Sequence, residues 1–331
     1  MKILVFEYIT GGGLFDAPIS PSLAREGEWM QQALLRDLAD LPEIEVWTLR
    51  DGRLPLPENF PPAIHWIVLT PGKSFEPHFR KQLELCDAVW LIAPETDGIL
   101  ERLCMDVEVR GKILLTNASP AVKIAASKLE TIRRLARHGI PIVPTSLLSE
   151  VRTPDFPVVI KPVDGIGGEG SRIIENLAQW KSALAAAPAS RTVVQPLIAG
   201  EPLSLSVMFA HGQVLWLSGN RKEIERQDGF VLRACHVNAI RETAPYRVFV
   251  ENIAMAIPEL WGYAGIDLIQ STQGLQVLEI NPRLTTSYVG LREARGINLA
   301  SLILHLKHSG SLPQIQPTVE KTVEIRLESL T

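Results

Sequence analysis

Cysteine is scarce in this chain of 331 residues: Cys86, Cys104 and Cys235 lie far apart, and no C-x-x-C pair occurs. That argues against a disulfide framework or a structural zinc site and makes a reducing cytoplasm the expected compartment. The first apolar segment, Lys2-Ile-Leu-Val-Phe6, lacks the basic, apolar and cleavage regions of a secretory signal. No apolar run approaches the length of a membrane span, so no membrane partner is expected. The formal net charge of −4 argues against nucleic acid as the main partner. No Cys/His or Ser/His/Asp arrangement offers an activated nucleophile, and there is no internal repeat, acidic tail or heptad seam. What remains is a chain with 46% hydrophobic residues, long enough to bury cores in two or three domains.

The first hundred or so residues alternate in period. Lys2 to Tyr8, Glu43 to Leu49, Ile64 to Leu69, Ala88 to Ala93 and Lys112 to Thr116 read as strands. Ala24 to Asp40 has helical spacing at Trp29, Met30, Ala33, Leu34 and Leu38, and Phe79 to Cys86 and Leu100 to Arg110 are also helical. Such alternation predicts a parallel sheet wound with helices. Ser119-Pro120 punctuates the pattern, which sets a boundary near Asn117.

Chemistry concentrates further on. Asp267, in Gly-Ile-Asp-Leu-Ile, stands twelve residues before Glu279 and fourteen before Asn281, in Leu275-Gln-Val-Leu-Glu-Ile-Asn-Pro-Arg283. Alternate strand residues share a face, so Glu279 and Asn281 point together, and a turn at Gln273-Gly274 brings Asp267 to them from a neighbouring strand. Two carboxylates and an amide oxygen suit Mg²⁺, or Mn²⁺, shared with substrate phosphates. Upstream, Pro157-Val-Val-Ile-Lys-Pro162 is followed by Asp164-Gly-Ile-Gly-Gly-Glu-Gly-Ser-Arg172. Gly165, Gly167, Gly168 and Gly170 let backbone N–H groups turn inward around phosphate oxygens, and Lys161 adds a point charge. The pattern is neither a P-loop nor a dinucleotide fingerprint.

Together these segments resemble the ATP-grasp superfamily, over roughly residues 119 to 290. The resemblance implies ATP held between two α+β subdomains and a carboxylate joined to an amine through an acyl phosphate. The implied fold is α/β and α+β: an ATP-grasp fold behind an N-terminal parallel-sheet (pre-ATP-grasp) domain. The expected division is 1–117, then a small subdomain with the flap at 118–192, then a metal-bearing subdomain at 193–331. Ser127 to Thr145 is similar to the superfamily's leading helix, with Lys128 on phosphate. Val193 to Val207 is similar to its hinge, with Gln195 and Leu197 at the adenine and Glu201 at the ribose. Ser171 belongs to the flap. Lys161 and Arg283 are the implied catalytic cations, because a carboxylate attacking a phosphate brings two anions together and a guanidinium matches planar oxygens. The chain departs from the family at Gly200-Glu201-Pro202, where a second acid is missing, and at Gly265, where the peptide-ligase branch has an arginine.

Phe6-Glu-Tyr with Gly11, Gly12 and Gly13, the flap and the shortened hinge acid together look most like the tyramine–glutamate ligase family. That implies glutamate as carboxylate and tyramine or tyrosine as amine, in biosynthesis of a methanofuran- or methylofuran-type cofactor of one-carbon metabolism. Homodimers are common in the superfamily. Two other classes stay open: an ATP-grasp carboxylase acting through carboxyphosphate, and a non-catalytic ATP-binding module. Several residues carry two readings. Glu7 with Gly11 to Gly13 is either a substrate loop or a structural strand-to-loop turn. Arg221 and Arg233 are either a solvated face or ligands for ATP or substrate. Ser287, with Thr285 and Thr286, is either acceptor pocket or helix start. His305 and His308 fit a solvated helix face better than a metal site.

Overall fold

The structure, a computed structural model, describes residues 1–58, 60–165 and 167–327. Ile166 of the flap and residues 328–331 of the last expected subdomain lie outside the described residues.

The N-terminal sheet contains β1 (Lys2–Glu7), β2 (Glu45–Asp51), β3 (Ile64–Leu69), β4 (Ala88–Ile92) and β5 (Ile113–Leu114), all parallel, in the order β3-β2-β1-β4-β5. Helices α1 (Pro21–Ala39), α2 (Glu76–Leu85) and α3 (Ile99–Val109) wind around it. Ile3 to Phe6 and Ala88 to Ile92 are buried throughout, as covering both faces of a parallel sheet requires. The alternation read from the sequence is therefore borne out, within a few residues at each end.

Two helices follow. α4 (Ser119–Ala126) begins at the expected boundary, but the sequence reading took it only as punctuation. α5 (Lys128–Arg137) starts where the Ser127 hydroxyl accepts from the Glu130 N–H at 3.2 Å, an N-cap that stops α4 and restarts the helix at a new angle. Lys128 is thus its first residue.

A small antiparallel sheet holds β6 (Ser146–Leu147), β7 (Val158–Pro162), β8 (Arg172–Ile174) and β9 (Thr192–Pro196) in the order β6-β9-β7-β8, with α6 (Leu177–Ala186) across it. Trp180 fills its core with Leu148, Val158, Ile160, Ile174 and Val194. The large antiparallel sheet holds β10 (Glu201–Ala210), β11 (Gln213–Arg226), β12 (Phe230–Ile240), β13 (Gly262–Ser271), β14 (Gly274–Asn281) and β15 (Val323–Arg326), in the order β14-β13-β10-β11-β12-β15. α7 (Ala244–Ala256), α8 (Leu291–Arg295) and α9 (Leu299–Ser309) complete the described chain.

The expected subdomain limits shift. Ala121, Ala125, Ile132, Leu135 and Ile140 pack with the large sheet's Leu205, Ile266 and Val277, so residues 118–145 do not belong to the small sheet's core. β9 remains in the small sheet to Pro196, past the expected limit at 192. The end domains are also less separate than the boundary implied. Leu34 and Leu38 of α1 share one core with Leu299, Ile303 and Leu306 of α9, because α9 packs on α1 and on β13.

Asn117 stitches the join. It is fully buried, its Nδ2 donates to the carbonyls of Tyr263 (2.8 Å) and Pro282 (3.0 Å), and its Oδ1 accepts from the Trp261 N–H at 2.8 Å. Asn117→Ala would leave these buried backbone groups without partners, each costing roughly 1–3 kcal/mol. The expected result is a lower urea midpoint, by an amount equivalent to about 3 kcal/mol; a midpoint within error of the parent would contradict the role.

Candidate active site

The β13–β14 hairpin turns at Ser271 to Gly274, where Gly274 has φ +98°. This register sets Asp267 directly opposite Glu279, with Asn281 two residues along the same face as Glu279. Its Nδ2 lies 3.4 Å from Asp267 Oδ2. Two carboxylates facing each other across a ladder repel unless cations intervene. Here three lysines do, each from a different element. Lys222 Nζ on β11 lies 2.5 Å from Asp267 Oδ1, Lys128 Nζ at the start of α5 lies 3.1 Å from Glu279 Oε2, and Lys161 Nζ on β7 lies 3.9 Å from the same oxygen.

Burial governs the titration of this cluster. It opposes charge on Glu279, yet the Lys128 and Lys161 ammoniums hold that carboxyl down to about 2. Burial pushes Asp267 up, against the opposing pull of Lys222. It also lowers Lys161 to about 8, although Glu279 works the other way. The donor set is all oxygen, two carboxylates and an amide carbonyl on one face, and fits a hard divalent cation. Three protein donors leave the remaining positions around such an ion to other oxygens, such as a ligand's phosphates.

A cavity of about 400 Å³ lies over this floor, between the small and large sheets. Gln195, Pro196, Leu197 and Ile198 form one end of its lining. The Gln195 side chain donates to the Thr145 hydroxyl at 2.7 Å, and the Leu197 N–H is bonded to the Pro157 carbonyl at 3.1 Å. The flap roofs the cavity with Gly165, Gly167, Gly168, Glu169 and Ser171 and meets the tip of the β11–β12 hairpin. Gly168 has φ +79°, and a Cβ there would stand 2.7 Å from the Phe230 carbonyl oxygen. Lys128 Nζ also donates to the Gly165 carbonyl, tying the flap's first residues to the acidic floor. The remaining lining includes Arg283, Thr285 and Thr286, with Glu26 and Met30 from α1. Arg283 is held by Glu95, which follows β4: Nε and Nη2 donate to Glu95 Oε2 at 3.1 and 3.0 Å.

The structure thus brings together Lys128, Lys161, Gly165, Gly167, Gly168, Ser171, Gln195, Leu197, Asp267, Glu279, Asn281 and Arg283 around one cavity. Others fall elsewhere. Gly170 (φ +70°) packs on the Pro162 ring rather than lining the cavity. Glu201 turns away between the lining residues Gly200 and Pro202 and pairs with Arg221 at 2.9 Å, so strand alternation removes both from the cleft. Arg233 pairs with Glu225 outside the lining. The Ser287 hydroxyl is buried in a network with Ser206 and Thr285 (both 3.0 Å); its neighbours Thr285 and Thr286 line the cavity instead. Glu7 is buried, accepting from the N–H groups of Ile9 (3.1 Å) and Thr10 (2.6 Å) and from the Thr10 hydroxyl. Gly11, Gly12 and Gly13 are buried against Phe6, Leu69 and Tyr8. The second reading of that segment, a structural turn, describes these contacts.

Sequence reasoning missed Lys222, Glu26 and Glu95. Lys222 sat in a run read as a solvated charged face; its parity with Ile224 and Arg226 on a strand was the usable signal, since all three line the cavity. Glu26 and Met30, one helical turn apart, share an α1 face whose Met30 had been assigned only to the core. Glu95 gave no signal in sequence.

Residues 125–287 match the family model described as ATP-grasp domain, and residues 44–122 match the one described as pre ATP-grasp 3 domain. The chain is 27% identical over 300 residues to tyramine–L-glutamate ligase of Methanocaldococcus jannaschii, spanning 88% of this chain and 84% of that protein. The corresponding protein of Methanocaldococcus fervens is 28% identical, over 88% and 89% of the two chains. The fold superposes on the crystal structure of an ATP-grasp superfamily protein from Archaeoglobus fulgidus with a TM-score of 0.74 and 24% identity, covering 98% of this chain and 92% of that one.

Three substitutions test the geometry. Lys222→Met should weaken Mg·ATP binding about tenfold, the value of one charge-assisted contact, whereas Arg221→Met, on the opposite strand face, should change it less than about twofold; titration calorimetry on both reads the contrast. Gly168→Ala should keep ATP affinity within about threefold and slow turnover by about tenfold or more, because the flap can no longer seat against Phe230. Single-turnover kinetics would expose the opposite pattern.

Proposed function

The chain belongs to the ATP-grasp superfamily as a ligase, and from that premise we propose that it joins the γ-carboxylate of glutamate to the amine of tyramine or tyrosine, with ATP converted to ADP and phosphate. The observation that carries this reading is the convergence of Lys128, Lys161, Lys222 and Arg283 on one cavity whose floor holds Asp267, Glu279 and Asn281. Four cations above two carboxylates match a triphosphate and an attacking carboxylate, which must approach despite like charge. The match along most of their length to the two tyramine–L-glutamate ligases supports the choice of glutamate and an aromatic amine. Assembly of a methanofuran- or methylofuran-type cofactor is the process in which such an amide would be used.

In this reading Lys128 and Lys161 hold phosphate oxygens, and Lys222 moves from Asp267 to a phosphate when nucleotide arrives. Asp267, Glu279 and Asn281 would hold Mg²⁺ or Mn²⁺, which supplies positive charge at the phosphate oxygens when bound. Arg283 is prepositioned: its bonds to Glu95 fix the guanidinium plane, leaving it to stabilise charge on the transferring group without first being ordered. The roof of Gly167, Gly168 and Ser171 excludes water from the acyl phosphate. The acceptor, once its ammonium has given up a proton, attacks the acyl carbon as a free amine; phosphate leaves with the acyl–oxygen bond's electrons, the nitrogen loses a second proton, and an amide forms without an enzyme nucleophile.

Phosphate release from Mg·ATP with glutamate present, tyramine, tyrosine, other amines and bicarbonate varied in turn, and products identified by mass spectrometry is the decisive assay. Stimulation by tyramine or tyrosine with a γ-glutamyl amide as product is expected, and Glu279→Gln should lower it about a hundredfold or more. Turnover that depends on bicarbonate and ignores every amine would replace this reading with a carboxylase.

A further inference from the structure

Glu26 stands in the cavity wall with no role in nucleotide chemistry. It projects from α1 of the N-terminal domain, among lining residues that include Arg283, Thr285 and Thr286. The Thr286 hydroxyl donates to its Oε2 at 2.9 Å, and among the described residues no cation forms an ion pair with it. The positive charges that act on it, Arg283 and Lys222, are already engaged: Arg283 has Nε and Nη2 on Glu95 and Nη1 on the Leu284 carbonyl at 3.1 Å, and Lys222 is paired with Asp267. Glu95 is itself buried, and its Oε1 has no hydrogen-bond partner. Burial pushes the Glu26 carboxyl up, and the Thr286 hydroxyl and the Arg283 and Lys222 charges only partly oppose this. A half-buried carboxylate without an ion-pair partner is stabilised by any ammonium brought within hydrogen-bond distance. Met30, on the same α1 face one turn on, gives the adjoining wall an apolar surface.

We propose that Glu26 is the residue that docks the acceptor's ammonium group, with the acceptor's aryl side toward Met30, so that α1 selects a primary aryl-alkyl amine as co-substrate. The proposal rests on the ligase reading above and adds to it the residue that recognises the amine. It replaces the sequence expectation that Glu7 holds the amine: Glu7 is saturated by Ile9 and Thr10, whereas Glu26 faces the cavity with capacity left.

The test uses two acceptors in the intact protein: tyramine, which arrives as an ammonium ion, and hydroxylamine, which is uncharged at neutral pH and traps an acyl phosphate as a hydroxamate. Glu26→Gln should raise the KM for tyramine about tenfold or more, change kcat much less, and cut selectivity for tyramine over hydroxylamine by a similar factor; Glu26→Asp should recover part of it. In the wild-type protein, N,N-dimethyltyramine, charged but unable to form a stable amide, should inhibit hydroxamate formation about tenfold more tightly than 4-ethylphenol, which lacks the ammonium. This last comparison needs no variant. Wild-type protein that forms neither hydroxamate nor amide would overturn the ligase reading and the docking role together. Active wild type with an unchanged tyramine KM in Glu26→Gln, or equal inhibition by the two analogues, would overturn the docking role alone.

Discussion

The cross-strand pairing of Asp267 with Glu279 is the constraint around which the other parts are arranged. Two carboxylates opposed in a ladder, in a site partly withdrawn from water, are tolerable only with cations close by. The chain supplies Lys222 from the large sheet, Lys128 from the start of α5 and Lys161 from the small sheet. Each element has to sit where its lysine reaches the hairpin. The Ser127 cap, which ends α4 and restarts the chain as α5, is one means of doing so, since it places Lys128 at the first helical position with its N–H on the Val163 carbonyl. The site's electrostatics thus hold the two sheets face to face. A triphosphate entering the cavity exchanges one set of partners for another, so the same groups that stabilise the ligand-free cleft are ready to bind anions.

Much of this was legible in sequence, and what was not has a physical cause. The strand and helix alternation to Leu114, the β13–β14 hairpin and the flap follow from periodicity and glycine placement, and the structure carries all of them. Asp267, Glu279 and Asn281 were readable because strand parity over a short hairpin leaves little freedom. Lys222 was not, because a run of alternating charges looks the same whether solvent lies on both sides or a cleft lies on one. Glu26 and Glu95 come from the N-terminal domain, more than 180 residues before Arg283, and only tertiary packing brings them to it. Glu7 shows the converse: a carboxylate at a strand's carboxyl end reads as a ligand, but a local turn folded back and used up its oxygens.

The cavity draws on three bodies of structure, and two of them, the N-terminal domain and the large sheet with its helices, are set against each other by a shared core rather than by a linker. α9 returns from the C-terminal region to pack on α1 against the N-terminal sheet, and Asn117 bonds the far side of that sheet's last strand to Trp261, Tyr263 and Pro282. Both contacts bear directly on the site, since α1 carries Glu26 and Pro282 precedes Arg283. An arrangement of this kind keeps the α1 wall and the acidic floor of the cavity in register.

The anchoring of the flap's base limits what that flap can do. Asp164 is gripped from the N-terminal domain and from the small sheet: its carbonyl accepts from the Thr96 hydroxyl (3.1 Å), and its carboxylate from the Asp97 N–H (2.8 Å) and from Arg191 (3.0 Å). Swing can begin only beyond that residue, and the arm ends where β8 starts at Arg172. Seven residues fully extended span at most about 25 Å, and a loop returning to its own strand pair reaches roughly half of that. So short a loop covers only the near end of the cavity. The two ends of the cavity are therefore bounded differently, by a short loop at one and by the packed helix α1 at the other.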